Sequence, residues 1–355
     1  MTVSRKRVYC ELEFLKKFRS SYAHLSLLDN EDAFDNLLHI SKFIQKSCVL
    51  LNVDAKTYLS NTRQNDTLKK LWKKASDGAF EMKFVGDSEY DHQYKDIDFL
   101  IWRPEGLKMS FLLNKKKALC QHYSKSYGVV AISPLCWDIN DAKDYGYLFR
   151  DCGSAIKKDV YIEWSHIFRN AEYKLCNCNS MLIVDNYIIK ETQKNLFAII
   201  KTLLPESLLN NTEFHLTIIT EGDATKMEQY ANLYIDICSL VKQERPNLKC
   251  MVELYATNGK NDFHDRSILT NNTKIDSLAG FDLINSRGKS RKETMVTIMH
   301  PGIQSCSDTC DQSYVNILET ARSVVRRIED AEDRHTATVL HWPVGSKTKN
   351  RLLER

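Results

Sequence analysis

Between residues 181 and 330, short apolar runs alternate with segments whose apolar residues recur every three or four positions, and no other feature constrains the fold as tightly. The runs MLIVDNYII (181–189), FHLTIIT (214–220), LKCMVELYAT (248–257) and TMVTIMH (294–300) have the length and β-branched content of strands. Between them, Leu196, Phe197, Ile199, Ile200, Leu203 and Leu204 form a helical pattern that Pro205 ends, and Met227, Tyr230, Tyr234, Ile237 and Val241 mark one face of another helix. A last helix is predicted from about Asp311 to Asp330, with Val315, Leu318, Ala321, Val325 and Ile328 inward. Such a chain buries its apolar surface by forming a central sheet with helices on its faces, which leaves functional groups at strand ends and in the loops beyond them.

The first half reads the same way. RVYCELEF (7–14), CVLLNV (48–53), IDFLIW (97–102) and YGVVAIS (127–133) are predicted strands; helices are predicted from about Glu31 and over TLKKLWKK (67–74). With 355 residues, 43% of them hydrophobic, the chain can bury two cores. The expected organisation is an α/β protein: an N-terminal α/β domain over 1–155, a second α/β domain with a central mixed sheet over 156–345, and a mobile basic tail over 346–355.

Composition narrows the setting. No apolar run approaches the roughly 18 residues a spanning helix needs, and MTVSRKRVYCELEFL lacks the core of a secretory signal, so a cytoplasmic address without a transmembrane segment is expected. Eleven scattered cysteines suit a reducing compartment. A net charge of +4 does not by itself imply a polyanionic partner. Local clusters matter more: Lys115 to Lys117, the set Lys69, Lys70, Lys73 and Lys74, and the set Arg287, Lys289, Arg291 and Lys292 can each meet phosphates or simply face solvent.

The stretch FHDRSILTNN (263–272) follows a predicted strand, and HDRSILTNNTKIDSLAGFDLIN (264–285) resembles the signature of the phospholipase D superfamily: His-x-Lys, four residues, Asp, then Gly and a nearby Asn. Here the positions read His264, Arg266 for the lysine, Asn271 for the aspartate, Gly280 and Asn285. The stretch is also similar to the non-catalytic phospholipase D-like domain at the C-terminus of microtubule-interacting-and-trafficking proteins. The resemblance covers roughly 160–345. It implies a histidine that attacks phosphorus, a second that protonates the leaving oxygen, and cationic and amide groups that hold phosphate oxygens. One motif copy is present, so turnover would require a symmetric homodimer that presents His264 twice. Arginine for lysine keeps the charge and offers a planar fork; asparagine for aspartate removes an acidic partner of the imidazole.

The leading expectation is a degenerate site that binds a phosphate-bearing ligand, nucleic acid foremost, or a protein partner. His264 is its catalytic candidate, Arg266, Asn271 and Asn285 its phosphate-binding residues, and Arg287, Lys289, Arg291 and Lys292 a nucleic-acid-binding extension. One alternative is a homodimeric, metal-independent phosphodiesterase or nuclease using His264. Another is a non-catalytic scaffold or regulatory subunit, as in a prokaryotic defence assembly, which rests on fold-level analogy. The bland reading makes His264 a strand-end cap and the Asn pair a turn.

Other constellations are poorer. Cys176, Cys178, His300, Cys306 and Cys310 lack the paired spacing of structural zinc, and VGSKTKN lacks the upstream glycine of a phosphate loop, so no metal or cofactor is expected. Glu11, Glu13, Asp54 and Asn114 with Lys115 give the first half a faint resemblance to PIN-like nuclease domains, which hold divalent metal with strand-end carboxylates. An acidic loop is expected over 87–98.

Overall fold

The structure, a computed structural model, describes residues 6–18, 40–87, 96–134, 152–168, 178–186, 188, 193–209, 212–257, 263, 266–277, 280–299, 309–333 and 340–354. The chain is an α/β protein with two sheets, one parallel and one mixed. It divides into two units, residues 1–150 with 300–308 and residues 151–299 with 309–355.

The first unit is built on β1 (Arg7–Cys10), β2 (Cys48–Leu51), α1 (Ala55–Thr62), α2 (Asp66–Ser76), β3 (Glu81–Phe84), β4 (Ser110–Leu112), α3 (Lys117–Tyr127) and β5 (Val130–Ile132). All five strands are parallel in the order β3-β2-β1-β4-β5, so the winding reverses between β1 and β4. Two predicted strands are corrected here. RVYCELEF leaves the sheet after Cys10, and residues 12–18 are helical: Leu12, Phe14, Leu15 and Phe18 are buried at helical spacing, while Glu13 and Lys16 pair outside at 2.6 Å. IDFLIW starts with a helical turn, Ile97–Leu100, because the Asp96 side chain accepts from Asp98 N and caps it. The end of the expected helix is present at residues 40–46; its start lies outside the described residues.

The second unit comprises β6 (Cys152–Ile156), α4 (Trp164–Phe168), β7 (Ser180–Val184), α5 (Gln193–Leu203), β8 (Phe214–Glu221), α6 (Met227–Glu244), β9 (Cys250–Thr257), β10 (Ser267–Thr270), β11 (Lys274–Ser277), β12 (Thr294–Met299), α7 (Thr309–Asp333) and β13 (His341–Trp342). Its mixed sheet runs β13-β9-β8-β7-β10-β11-β12-β6, with β7, β8 and β9 parallel and the remaining pairings antiparallel. The three parallel strands are buried almost throughout, which is why each carries short apolar runs, and their polar residues Thr217 and Glu253 are buried as well. The interior of the FHDRSILTNN stretch is a hairpin: Asn271 and Asn272 form the turn between β10 and β11, closed by Thr270 N donating to Thr273 O at 2.7 Å.

The expected mobile tail is corrected too. Residues 346–354 pack onto the second unit because Asn350 is fully buried and donates to Met181 O at 3.0 Å and Thr217 Oγ1 at 2.9 Å. Beside it, the Glu253 carboxyl, 2% exposed, accepts from Thr217 Oγ1, Thr348 Oγ1 and Lys349 N at 2.7, 2.8 and 2.9 Å. Burial pushes its pKa up, against the pull of those three donors. Asn350→Ala is expected to cost about 2 kcal/mol by stranding buried hydrogen-bonding groups, measured by urea denaturation, whereas Lys347→Ala, at an exposed pair with Asp333, should change little.

His341 is a second buried titratable group. Its ring stacks on Tyr255 at 4.1 Å between centroids, and Nδ1 lies 3.3 Å from Glu332 Oε2. Burial lowers the imidazole pKa to about 4 from its ordinary 6.5. Between those values the unfolded chain takes up a proton that the folded chain refuses, so this residue's contribution, complete above pH 6.5, is lost as pH falls toward 4. The raised carboxyls of Glu253 and Glu332 act in the opposite sense. The diagnostic quantity is therefore a difference: relative to His341→Phe, the wild type should lose roughly 3 kcal/mol of unfolding free energy between neutral pH and pH 4, measured by urea denaturation.

Candidate functional site

Arg266 immediately precedes β10 and Asp185 immediately follows β7. Because these strands are antiparallel with Ser267 opposite Val184, the two residues meet across the ladder, with Nε 3.9 Å from Asp185 Oδ1. The carboxylate side chain is 3% exposed and the guanidinium side chain 31%. Asp185 Oδ2 also accepts from Phe281 N at 3.4 Å, which draws the loop after β11 over the pair. Gly280 makes that passage feasible. Its φ is +76°, and a Cβ there would stand 2.1 Å from Arg266 Nη1 and 2.5 Å from Arg266 Cδ. His264 and Asp265, which complete the motif, lie outside the described residues.

Asn271 and Asn285 do not join Arg266. Asn271 follows β10 at the other end of the strand, roughly 17 Å away at the extended rise per residue. There it is 8% exposed and its Oδ1 accepts from Asn179 N at 3.0 Å, the neighbour that precedes β7. Asn285 builds a turn: its Oδ1 accepts from Arg287 N at 2.9 Å and Lys289 N at 3.1 Å, and its N donates to Lys289 O at 2.8 Å. Both amides hold backbone, and neither stands beside the guanidinium.

That Asn285 turn presents the basic loop. Arg287, Arg291 and Lys292 are exposed, Lys289 is half-buried, and Arg291 Nη1 lies 3.4 Å from Asp282 Oδ2. Asn195 on α5 anchors the approach from below, donating to Asp282 Oδ1 and Ile284 O at 3.1 and 2.9 Å while accepting from Trp164 Nε1 at 2.9 Å. Gly280 touches Arg266 and Asp282 touches Arg291; these two loop residues are at most about 7 Å apart along the chain, so the guanidinium and the basic loop share one rim.

Sequence reasoning missed Asp185, Asn195 and the segment 157–162. Asp185 was detectable in principle as a carboxylate directly behind a strand. The segment 157–162 was not, because only the pairing of β6 with β12 carries it to residues 288–290.

In the first unit the strand-end carboxylates serve the fold. Glu11 Oε2 accepts from Asn114 N at 2.6 Å and ties the ends of β1 and β4 together. Burial raises its pKa, opposed by the Asn114 N–H and Lys115 and reinforced by Asp96 and Asp98. Asp54 caps α1 through Thr57 N, and Glu13 pairs with Lys16. Among the described residues no group of three or more His, Cys, Asp or Glu side chains is arranged to hold a metal ion. A cavity of about 530 Å³ in the second unit, lined in part by Cys238, Arg245, Cys250 and Lys349, opens beside β9. It lies five strands, roughly 24 Å, from β12 and is separate from the Arg266 rim.

No protein-family model matches the chain, and no curated protein matches it. No helix among the described residues is long and apolar enough to cross a membrane.

Gly280→Ala is expected to cost about 1–2 kcal/mol from its left-handed backbone and to push Arg266 off Asp185. A double-mutant cycle checks this: with Arg266 already truncated to alanine, the clash vanishes and the Gly280 substitution should cost less, whereas additive effects would show that the two do not touch.

Proposed function

We propose that the second unit binds nucleic acid through Arg266 and the basic loop 287–292, as a degenerate relative of phospholipase D-like phosphate sites. One observation carries the reading: a guanidinium held at the end of the sheet by a buried carboxylate and a glycine, at the same end of the sheet as the loop that carries Arg287, Lys289, Arg291 and Lys292. A planar guanidinium suits a phosphate's paired oxygens, and a row of further cations suits a polymer of phosphates better than a single phosphorylated metabolite. Asp185 lowers the affinity of Arg266 for any anion, yet it also holds the side chain in place, so less rotamer freedom is lost on binding. Binding requires neither His264 nor a second copy of the site.

The test is fluorescence anisotropy with a labelled oligonucleotide at several salt concentrations. Affinity should fall steeply with salt. Changing Arg287, Lys289, Arg291 and Lys292 together to alanine should flatten the log–log slope by about 2–3. Arg266→Lys, which keeps the charge and loses the fork, should weaken binding by several-fold. Equal affinity for wild type and the fourfold variant at low salt would overturn the proposal.

A further inference from the structure

We infer that this rim takes single-stranded rather than duplex nucleic acid, with Tyr161 as the platform for an unpaired base; the inference rests on the nucleic-acid reading above. Tyr161 is 73% exposed, the most open large hydrophobic side chain among the described residues. It sits on a fixed backbone. Residues 157–162 run alongside the basic loop, clasped by Ser290: Val160 N donates to Ser290 Oγ at 3.1 Å, Ser290 N to Val160 O at 2.9 Å, Asp159 N to Ser290 O at 3.0 Å, and Ser290 Oγ to Lys157 O. Ile162 N adds a bond to Gly288 O at 3.1 Å. The turn before the tyrosine is tight enough to hold Asp159 at φ +62°, a left-handed conformation that a residue with a side chain seldom adopts. This geometry presents Tyr161 to solvent without leaving it on a loose loop.

The ring's surroundings match a nucleotide. Gly288 lies against one edge, where a Cβ would be 3.7 Å from Tyr161 Cδ1, and Lys289 Nζ lies 5.1 Å from the ring centroid. Lys157 and Lys158 are exposed on the segment that leads to the ring, and Arg287 and Lys292 on the loop, alongside the exposed carboxylates of Asp159, Glu163 and Glu293. An aromatic face flanked by cations is the pairing that single-stranded polymers use, since each base has a π-face and each linkage a charge. In a duplex the bases are already stacked on one another, so the ring would have nothing to cover and phosphate contacts alone would remain.

The experiment uses the full chain and a labelled oligothymidylate of about 20 nucleotides, compared with a duplex of equal length, by anisotropy at low salt. Wild type should bind the single strand about 10-fold more tightly than the duplex. Tyr161→Ala should weaken single-strand binding about 10-fold, leave duplex binding in place and leave the salt slope unchanged; Tyr161→Phe should behave as wild type. Tyr161→Trp adds a direct reading, because stacking should quench the introduced indole on binding. If wild type binds with the expected salt dependence but duplex competes equally, or Tyr161→Ala changes nothing, the single-strand inference fails while the proposed function stands. If wild type binds neither polymer, both fail.

Discussion

Ser290 is the constraint on which the candidate surface depends. Its side chain is fully buried, and with its own backbone it joins residues 157–160 to the loop that carries Arg287 and Lys289, two stretches some 130 positions apart in the chain. Without that clasp the two lysine-bearing segments would be separate solvated runs. With it, cations and an aromatic ring occupy one hydrogen-bonded strip at the β6–β12 edge of the mixed sheet.

Arg266 depends on a similar economy of means. The β7–β10 register sets it beside Asp185, and the left-handed backbone of Gly280 lets the following loop close over it. A buried carboxylate beside a half-buried arginine stabilises a fold only modestly, but it restricts where the guanidinium points. The Asn195 amide extends the same logic to Asp282 and Ile284, so the rim is positioned by buried polar groups whose partners are themselves packed.

The sheet framework was legible because burial on both faces leaves a plain record: β7, β8 and β9 are buried almost without break, and short apolar runs mark each of them. Short amphipathic pieces were less so. ELEF alternates like a strand over four residues, and only Leu15 and Phe18 beyond it reveal the helical period. The motif resemblance drew attention to Arg266, yet it grouped Asn271 and Asn285 with it by linear spacing, whereas β10 separates the first by its own length and the turn consumes the second. The C-terminal segment looked mobile from its charges; Asn350, Leu352 and Leu353 hold it, and a lone buried amide among lysines and arginines carries no sequence signal. Tyr161 is invisible for the same reason in reverse, since its meaning comes wholly from residues brought to it by long-range pairing.

The most direct measurement of where a polymer lies is photo-cross-linking with an oligonucleotide carrying 5-iodouracil, which couples to aromatic rings stacked on it, followed by mass spectrometry of the conjugated peptides. The dominant conjugate is expected to carry Tyr161, with lysine adducts at Lys157, Lys158 or Lys289. Conjugates confined to residues 1–150, or none above the level seen with the fourfold basic-loop variant, would contradict this placement.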